Sequence, residues 1–266
     1  MKRKRWPVIM ISALLLVADC FMLTDCARHI SASGETSQNA GLLKDKKENN
    51  ASNPPEENAS SNSNASSVAS EIPASKTTDP EDDWKLLLVN DRNTIPESFE
   101  PELEVVQGVY KMDSRVAPIM RQLIADAKSQ GIDLMVCSAY RPYSSQLRNF
   151  EASVSSYMQA GYSRENAEQA TLRLIAAPGS SEHQTGLAAD IVTPSYQGLD
   201  DGYADTDAAK WLKANAASYG FILRYPKGKE DSTHIDFEPW HYRYVGEEAA
   251  KEIMDKEICL EEYLEQ

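Results

Sequence analysis

Residues 181–190 read Ser181-Glu182-His183-Gln184-Thr185-Gly186-Leu187-Ala188-Ala189-Asp190, and the kind of fold this chain builds can be read from them. Gly186 to Val192 has the length and the small and aliphatic content of a buried strand, with His183 in the loop before it. Asp190 lies inside that strand. At a period of two it shares a face with Ala188 and Val192, where a bare charge is costly unless a cation or hydrogen-bond donors compensate it. Further along, Glu238-Pro239-Trp240-His241 sets a second carboxylate three positions before a second imidazole. Two imidazoles and one carboxylate form a catalytic zinc set, because nitrogen and carboxylate oxygen bind the ion and leave a fourth position for water. Glu238 then remains for base work. Each residue alone has an ordinary explanation: a satisfied histidine, an arginine-paired aspartate, a rim glutamate. The joint pattern is harder to dismiss, since Ser138-Ala139-Tyr140-Arg141-Pro142 also delivers a fixed guanidinium at the end of a strand.

Around these motifs the pattern is mixed. Trp84 to Val89 reads as a short strand and Asp133 to Ala139 as a buried one; Phe221 to Tyr225 and Trp240 to Val245 read as two more. Ser114 to Ser129 is helical, with Val116, Ile119, Met120, Leu123, Ile124 and Ala127 on one face and Gly131 as its stop. Serine-started helices are expected over Ser144–Ala160 and Ser163–Ala176, separated by Gly161. Two more are expected over Asp207–Tyr219, closed by Gly220, and Glu247–Lys256. Helices and strands come in clumps, which predicts an α+β fold with a mainly antiparallel central sheet flanked by helices.

The 266-residue chain carries 27 basic and 41 acidic side chains, 27 − 41 = −14, and this acidity argues against a nucleic-acid partner. Its four cysteines, Cys20, Cys26, Cys137 and Cys259, are too scattered for a disulfide framework or a CxxC zinc site; Cys137 and Cys259 are read as free thiols. Residues 1–26 read as a signal peptide or membrane anchor. Lys2-Arg3-Lys4-Arg5 precede an apolar run from Trp6 to Ala18, which is short for a bilayer span. Cys20 and Cys26 raise lipidation as a third option, although each follows an Asp. Between Met22 and Asp83 there is no aromatic residue, and residues 51–70 hold seven Ser and four Asn, so 27–83 is expected to be a disordered tether. The folded domain is then 84–266, and the only expected membrane contact is through the N-terminal segment.

Ser181-x-His183-x-x-Gly186-x-Ala188-x-Asp190, Glu238-x-Trp240-His241 and the preceding Ser138-Ala139-Tyr140-Arg141 resemble the VanY-type D-alanyl-D-alanine carboxypeptidases of bacterial cell walls. The three motifs stand in that family's order, and Glu238 through Gly246 agrees closely with its pattern. The resemblance implies that His183, Asp190 and His241 hold one zinc ion. It implies that Glu238 is the catalytic base and that Arg141 steadies the oxyanion. Ser181 and Gln146 are the polar side chains expected to grip the substrate carboxylate, and Tyr140 and Trp240 are expected to wall the pocket. His234 matches no ligand position.

Motifs and resemblance together predict a zinc-dependent D,D-carboxypeptidase acting on peptidoglycan stem peptides. It would be a monomer outside the bacterial cytoplasmic membrane, secreted, anchored or lipidated. An L,D-carboxypeptidase on tetrapeptide stems, or a D-Ala-D-Ala dipeptidase, would share the zinc ligands. A non-catalytic zinc-containing wall-binding module would not need Glu238 and Arg141 together.

Overall fold

The computed structural model describes residues 83–265. The signal or anchor expected at 1–26 and the tether expected at 27–83 lie outside the described residues, apart from Asp83, as do Cys20 and Cys26. Among the described residues no helix is long and apolar enough to cross a membrane.

A hairpin comes first, with β1 at Leu103–Gln107 and β2 at Tyr110–Asp113, followed by α1 at Ala117–Ser129. Then come β3 (Met135–Ser138), α2 (Tyr143–Gln159) and α3 (Arg164–Leu172). They lead through a short 3-10 turn at Glu182–Thr185 into β4 (Ala188–Val192). The rest is α4 (Asp207–Asn215), β5 (Phe221–Leu223), α5 (Glu230–Thr233), β6 (His241–Tyr244), α6 (Glu247–Lys256) and α7 (Leu260–Leu264). The central sheet has the order β3-β4-β6-β5, and every pairing in it is antiparallel. The expected α+β class with a mainly antiparallel sheet is therefore what the chain adopts.

Helix α1 buries Ala117, Met120, Leu123 and Ala127, the spacing that puts one apolar stripe on a 3.6-residue helix. That stripe meets Val136, Ala189 and Ile191 from the sheet and Leu212 from α4 in the main core. A second core gathers Ile222, Val245, Ala250, Ile253 and Leu260 under α6 and α7. The pair α2 and α3 has its own small core of Val154, Tyr157 and Ala167. Ser163 caps α3 as expected, accepting from the Asn166 amide, but α2 starts from Pro142 and not from a serine.

One expected strand is absent, and one hairpin is unexpected. The stretch Trp84–Val89 is not a strand; Asp83–Leu86 form a 3-10 turn, and the Lys85 and Leu87 carbonyls accept from the Arg243 guanidinium instead of joining a ladder. The hairpin β1–β2 has no counterpart in the sequence pattern, because its exposed Glu104 and Val105 break the alternation that marks a strand.

Gly186 fixes how the 182–185 turn enters β4. It adopts φ +72°, its carbonyl accepts from the Asp113 amide at 2.9 Å, and a Cβ on it would stand 2.8 Å from that same amide nitrogen. Gly131 has a similar φ of +81° with nothing within 4 Å of a Cβ. Gly186→Ala is therefore expected to cost about 3 kcal/mol of unfolding free energy, against about 1 kcal/mol for Gly131→Ala. Urea denaturation of both variants checks this; equal losses would contradict it.

Candidate active site

The central strand pair sets the site. In the β4–β6 ladder Asp190 stands directly opposite His241, so the register alone brings a carboxylate and an imidazole together. Ser138 of β3 pairs with Asp190 from the other side. The chain leaving β3 then holds the His183 turn, because Arg141 N donates to the His183 carbonyl at 3.1 Å and His183 Nδ1 meets the Ala139 carbonyl at 2.7 Å. That contact makes Nδ1 the protonated nitrogen of His183 and leaves Nε2 with a lone pair. Nε2 points at Asp190 Oδ2, 3.3 Å away, while His241 Nδ1 lies 3.0 Å from Asp190 Oδ1. The two rings meet edge to face, with centroids 4.9 Å apart.

These three buried residues fit a metal ion. Their candidate ligand atoms all lie within 4.8 Å of one another, and a tetrahedral zinc set with bonds of about 2.1 Å needs ligand atoms about 3.4 Å apart. The donor set, two imidazole nitrogens and one carboxylate, leaves a coordination position open.

Glu238 arrives by a tight turn. The His241 amide donates to the Glu238 carbonyl at 3.1 Å, with Pro239 at the second position of the turn, where its fixed φ is favourable. The turn sets Glu238 Oε2 3.6 Å from His241 Nδ1, with the side chain 15% exposed at the cleft. Arg141, Gln146, Ser181 and Trp240 line the same cleft. Ser181 is buried, and so is Gln146, which donates from Nε2 to the Ala176 carbonyl at 2.6 Å and does not face solvent on its helix. Tyr140 is the exception: it is absent from the residues lining the cleft, and its amide is tied instead to the Lys111 carbonyl of the hairpin. His234 sits apart from the ligands, pairing with Asp91 at 2.8 Å and Arg92 at 2.9 Å. Among the described residues Cys137 and Cys259 form no disulfide, and the Cys137 thiol donates to the Asp190 carbonyl at 3.5 Å.

The electrostatics separate the carboxylates. Burial pushes the Glu238 carboxyl up to about 8, with nearby Asp190 adding to the rise against His241 and Arg141. Burial would also raise Asp190, but the two imidazoles overcome it and hold Asp190 well below the usual carboxylate range. His183 is lowered, chiefly by burial, and so is neutral near pH 7. Burial opposes a charge on His241 too, yet its contacts with Asp190 and Glu182 raise it to about 9.

Sequence reasoning misses four charged residues beneath the site. Arg224 and Arg243 are fully buried, and both donate to Glu182 Oε1, from Arg224 Nε at 2.8 Å and Arg243 Nη1 at 2.7 Å. Arg224 also holds Glu261 in a two-point pair at 2.8 and 2.7 Å. A signal for them exists: each arginine interrupts an otherwise aromatic and aliphatic strand, in Phe221-Ile222-Leu223-Arg224-Tyr225 and Tyr242-Arg243-Tyr244.

The family model for VanY, D-alanyl-D-alanine carboxypeptidase, matches residues 109–247, the span from the hairpin turn to the start of α6. The chain belongs to the VanY carboxypeptidase family. It is 39% identical over 186 residues to a D-alanyl-D-alanine carboxypeptidase of Enterococcus faecalis, covering 69% of this chain and 67% of that one. The fold is similar to a crystal structure of the vancomycin resistance D,D-pentapeptidase VanY in complex with Zn(II), with TM-score 0.62 and 39% identity over 68% of this chain and 99% of that one. It is also similar to the LD-carboxypeptidase LdcB, with TM-score 0.59 and 38% identity over 67% of this chain and 84% of that one.

The protonation pattern of this VanY domain has a measurable consequence for metal binding. In the metal-free protein His183 is neutral and Asp190 ionised, while His241, raised to about 9, still holds a second proton at pH 7. Its ligand nitrogen must shed that proton. Zinc binding near pH 7 should release about one proton, and affinity should fall about tenfold for each pH unit below 9. Calorimetric titration with Zn(II) in two buffers of different ionisation enthalpy reads the proton directly; a heat independent of the buffer would contradict the assignment.

Proposed function

We infer that the protein is a zinc-dependent D,D-carboxypeptidase that removes the terminal D-alanine from peptidoglycan stem peptides ending in D-Ala-D-Ala. The observation that carries this reading is the convergence of His183, Asp190 and His241 within 4.8 Å, with Glu238 beside them. A purely structural zinc would have a fourth protein ligand and no use for Glu238 and Arg141 in an open cleft. The zinc complex of the related pentapeptidase and the name of the Enterococcus faecalis relative support the same chemistry.

His183 through Nε2, His241 through Nδ1 and Asp190 through a carboxylate oxygen would hold the ion. When bound, zinc supplies a Lewis acid that polarises a carbonyl and lowers the pKa of water. The protein's own groups do the rest. Glu238 takes the proton of the attacking water and returns it to the leaving amine of D-alanine, and its raised affinity for protons suits both steps. Arg141 faces the charge that develops on the scissile carbonyl oxygen, where a preorganised cation in a partly desolvated cleft acts more strongly than in water. Ser181 and Gln146, which line the cleft, are read as gripping the substrate's terminal carboxylate, Gln146 through the Nε2 hydrogen not given to Ala176, and Trp240 as walling the pocket. The basic and apolar N-terminus and the Ser/Asn-rich stretch after it support export, with a tether that lets the domain reach stem peptides outside the cytoplasmic membrane. The domain acts as a monomer in this reading, since the whole constellation comes from one chain.

The zinc-loaded protein is expected to release D-alanine from a pentapeptide stem and not from a tetrapeptide stem. Preference for the tetrapeptide would move the assignment to L,D specificity, and cleavage of free D-Ala-D-Ala alone would make it a dipeptidase. Glu238→Ala should lower kcat about 10²- to 10⁴-fold with zinc still bound. Arg141→Ala should lower it about 10²- to 10³-fold. Metal content and stopped-time D-alanine assays separate these outcomes, and loss of zinc in Glu238→Ala would contradict its role as base.

A further inference from the structure

Beneath the metal ligands lies a carboxylate that the mechanism does not use. The Glu182 side chain is fully buried, and one of its oxygens, Oε1, accepts from both Arg224 and Arg243. Those arginines are themselves pinned. Arg224 makes its second pair with Glu261, and Arg243 donates to the carbonyls of Tyr244 at 2.9 Å, Lys85 at 3.0 Å and Leu87 at 2.8 Å. The carboxylate plane of Glu182 is thereby fixed, and its second oxygen, Oε2, is aimed at His241.

Glu182 Oε2 and His241 Nε2 are both buried, neither has a hydrogen-bond partner, and they stand 3.6 Å apart. That separation is a few tenths of an ångström beyond a hydrogen bond. The opposite ring nitrogen, Nδ1, is the one turned to Asp190 and Glu238. The Tyr225 ring packs against the imidazole at 4.8 Å and restricts its rotation.

We propose that Glu182 is a positioning residue that accepts a hydrogen bond from His241 Nε2–H and so holds the ring in the tautomer that presents the Nδ1 lone pair to the metal. A ligating histidine needs its other ring nitrogen oriented in this way, and removing such a partner typically weakens metal binding about 10- to 100-fold. His183 receives the same service from a backbone carbonyl, that of Ala139. His241 has no comparable carbonyl, and Glu182, the residue next to His183 in sequence, supplies the acceptor.

The proposal rests on the zinc reading of the preceding subsection, and one substitution distinguishes the two. In Glu182→Gln the two arginines still demand an acceptor where Oε1 stood, so the new amide must turn its NH2 toward His241 Nε2. Donor then meets donor, and relief comes by moving the ring proton to Nδ1, the ligand atom. Chelator competition should show zinc affinity about 10- to 100-fold lower in Glu182→Gln. Leu212→Ala, in the main core, should lower stability with zinc affinity held within about twofold.

Equal affinity in wild type and Glu182→Gln, or an equal loss in Leu212→Ala, would overturn the proposal and leave the zinc site standing. Failure of the wild-type protein to bind zinc would overturn both. Should Glu182→Gln not fold, nitrogen-15 NMR of the zinc-loaded wild-type protein decides the matter. The expected result is a slowly exchanging proton on His241 Nε2 with Nδ1 ligated; a ring bound through Nε2 would overturn the proposal.

Discussion

Two buried carboxylates, Glu182 and Asp190, set the terms for the rest of this domain. Taking a carboxylate out of water costs several kcal/mol unless charge and hydrogen bonds are returned to it. The fold answers differently in the two places. Around Glu182 it places two arginines, Arg243 from β6 and Arg224 from the residue that follows β5, and a further carboxylate, Glu261, from the C-terminal helix balances them. The four groups sum to zero charge. Around Asp190 it places only two imidazoles, weak and titratable partners. The first cluster is charge-balanced by protein alone, with one Glu182 oxygen left facing His241. The second is satisfied fully by a cation, and this difference separates a foundation from a binding site.

The register of β4 against β6 connects the two. Asp190 opposes His241 and Ala188 opposes Arg243, so one pair of strands carries the ligand couple and, two residues on, the arginine that anchors Glu182. A slip of one residue would send each of these side chains to the opposite face. The same ladder therefore fixes the metal ligands and the charge network beneath them, and neither can be shifted without the other. Glu238 stands outside the ladder on its own turn, where burial favours its protonated form, whereas Asp190 is kept ionised. Carboxylates pushed apart in this way take different tasks, one to bind a cation and one to carry a proton.

The range of each interaction decides whether the sequence disclosed it. Helix α6 has the expected ends, Glu247 and Lys256, because its amphipathic pattern is local. The ligand residues and Glu238 were legible because their chemistry is carried by residue type within short motifs, and the motif order carried the family resemblance. Trp84–Val89 misled for the opposite reason. Its apolar residues are real, but they are buried by packing: the Trp84 ring stacks on Tyr244 at 5.9 Å and under the Arg115 guanidinium at 3.6 Å. The Glu182 network was out of reach, since its partners lie 37 to 61 positions apart in the chain. Only the folded sheet brings them together. Tyr140 was placed by its neighbour Arg141, and successive residues of an extended chain point to opposite sides.

The helical side of the cleft is built on separate ground. Gln146, Asn149 and Ala152 come from α2, and Leu174 to Ala176 follow α3. These helices pack on each other through Val154, Tyr157 and Ala167 and through a Ser153–Thr171 hydroxyl contact at 3.1 Å, apart from the core that holds the sheet. Substitutions in separate packing units combine additively, whereas those within one unit couple. A change of side chain on the helical wall therefore alters the shape offered to a stem peptide without moving the ligands, while a change in the strands moves both ligands and charge network.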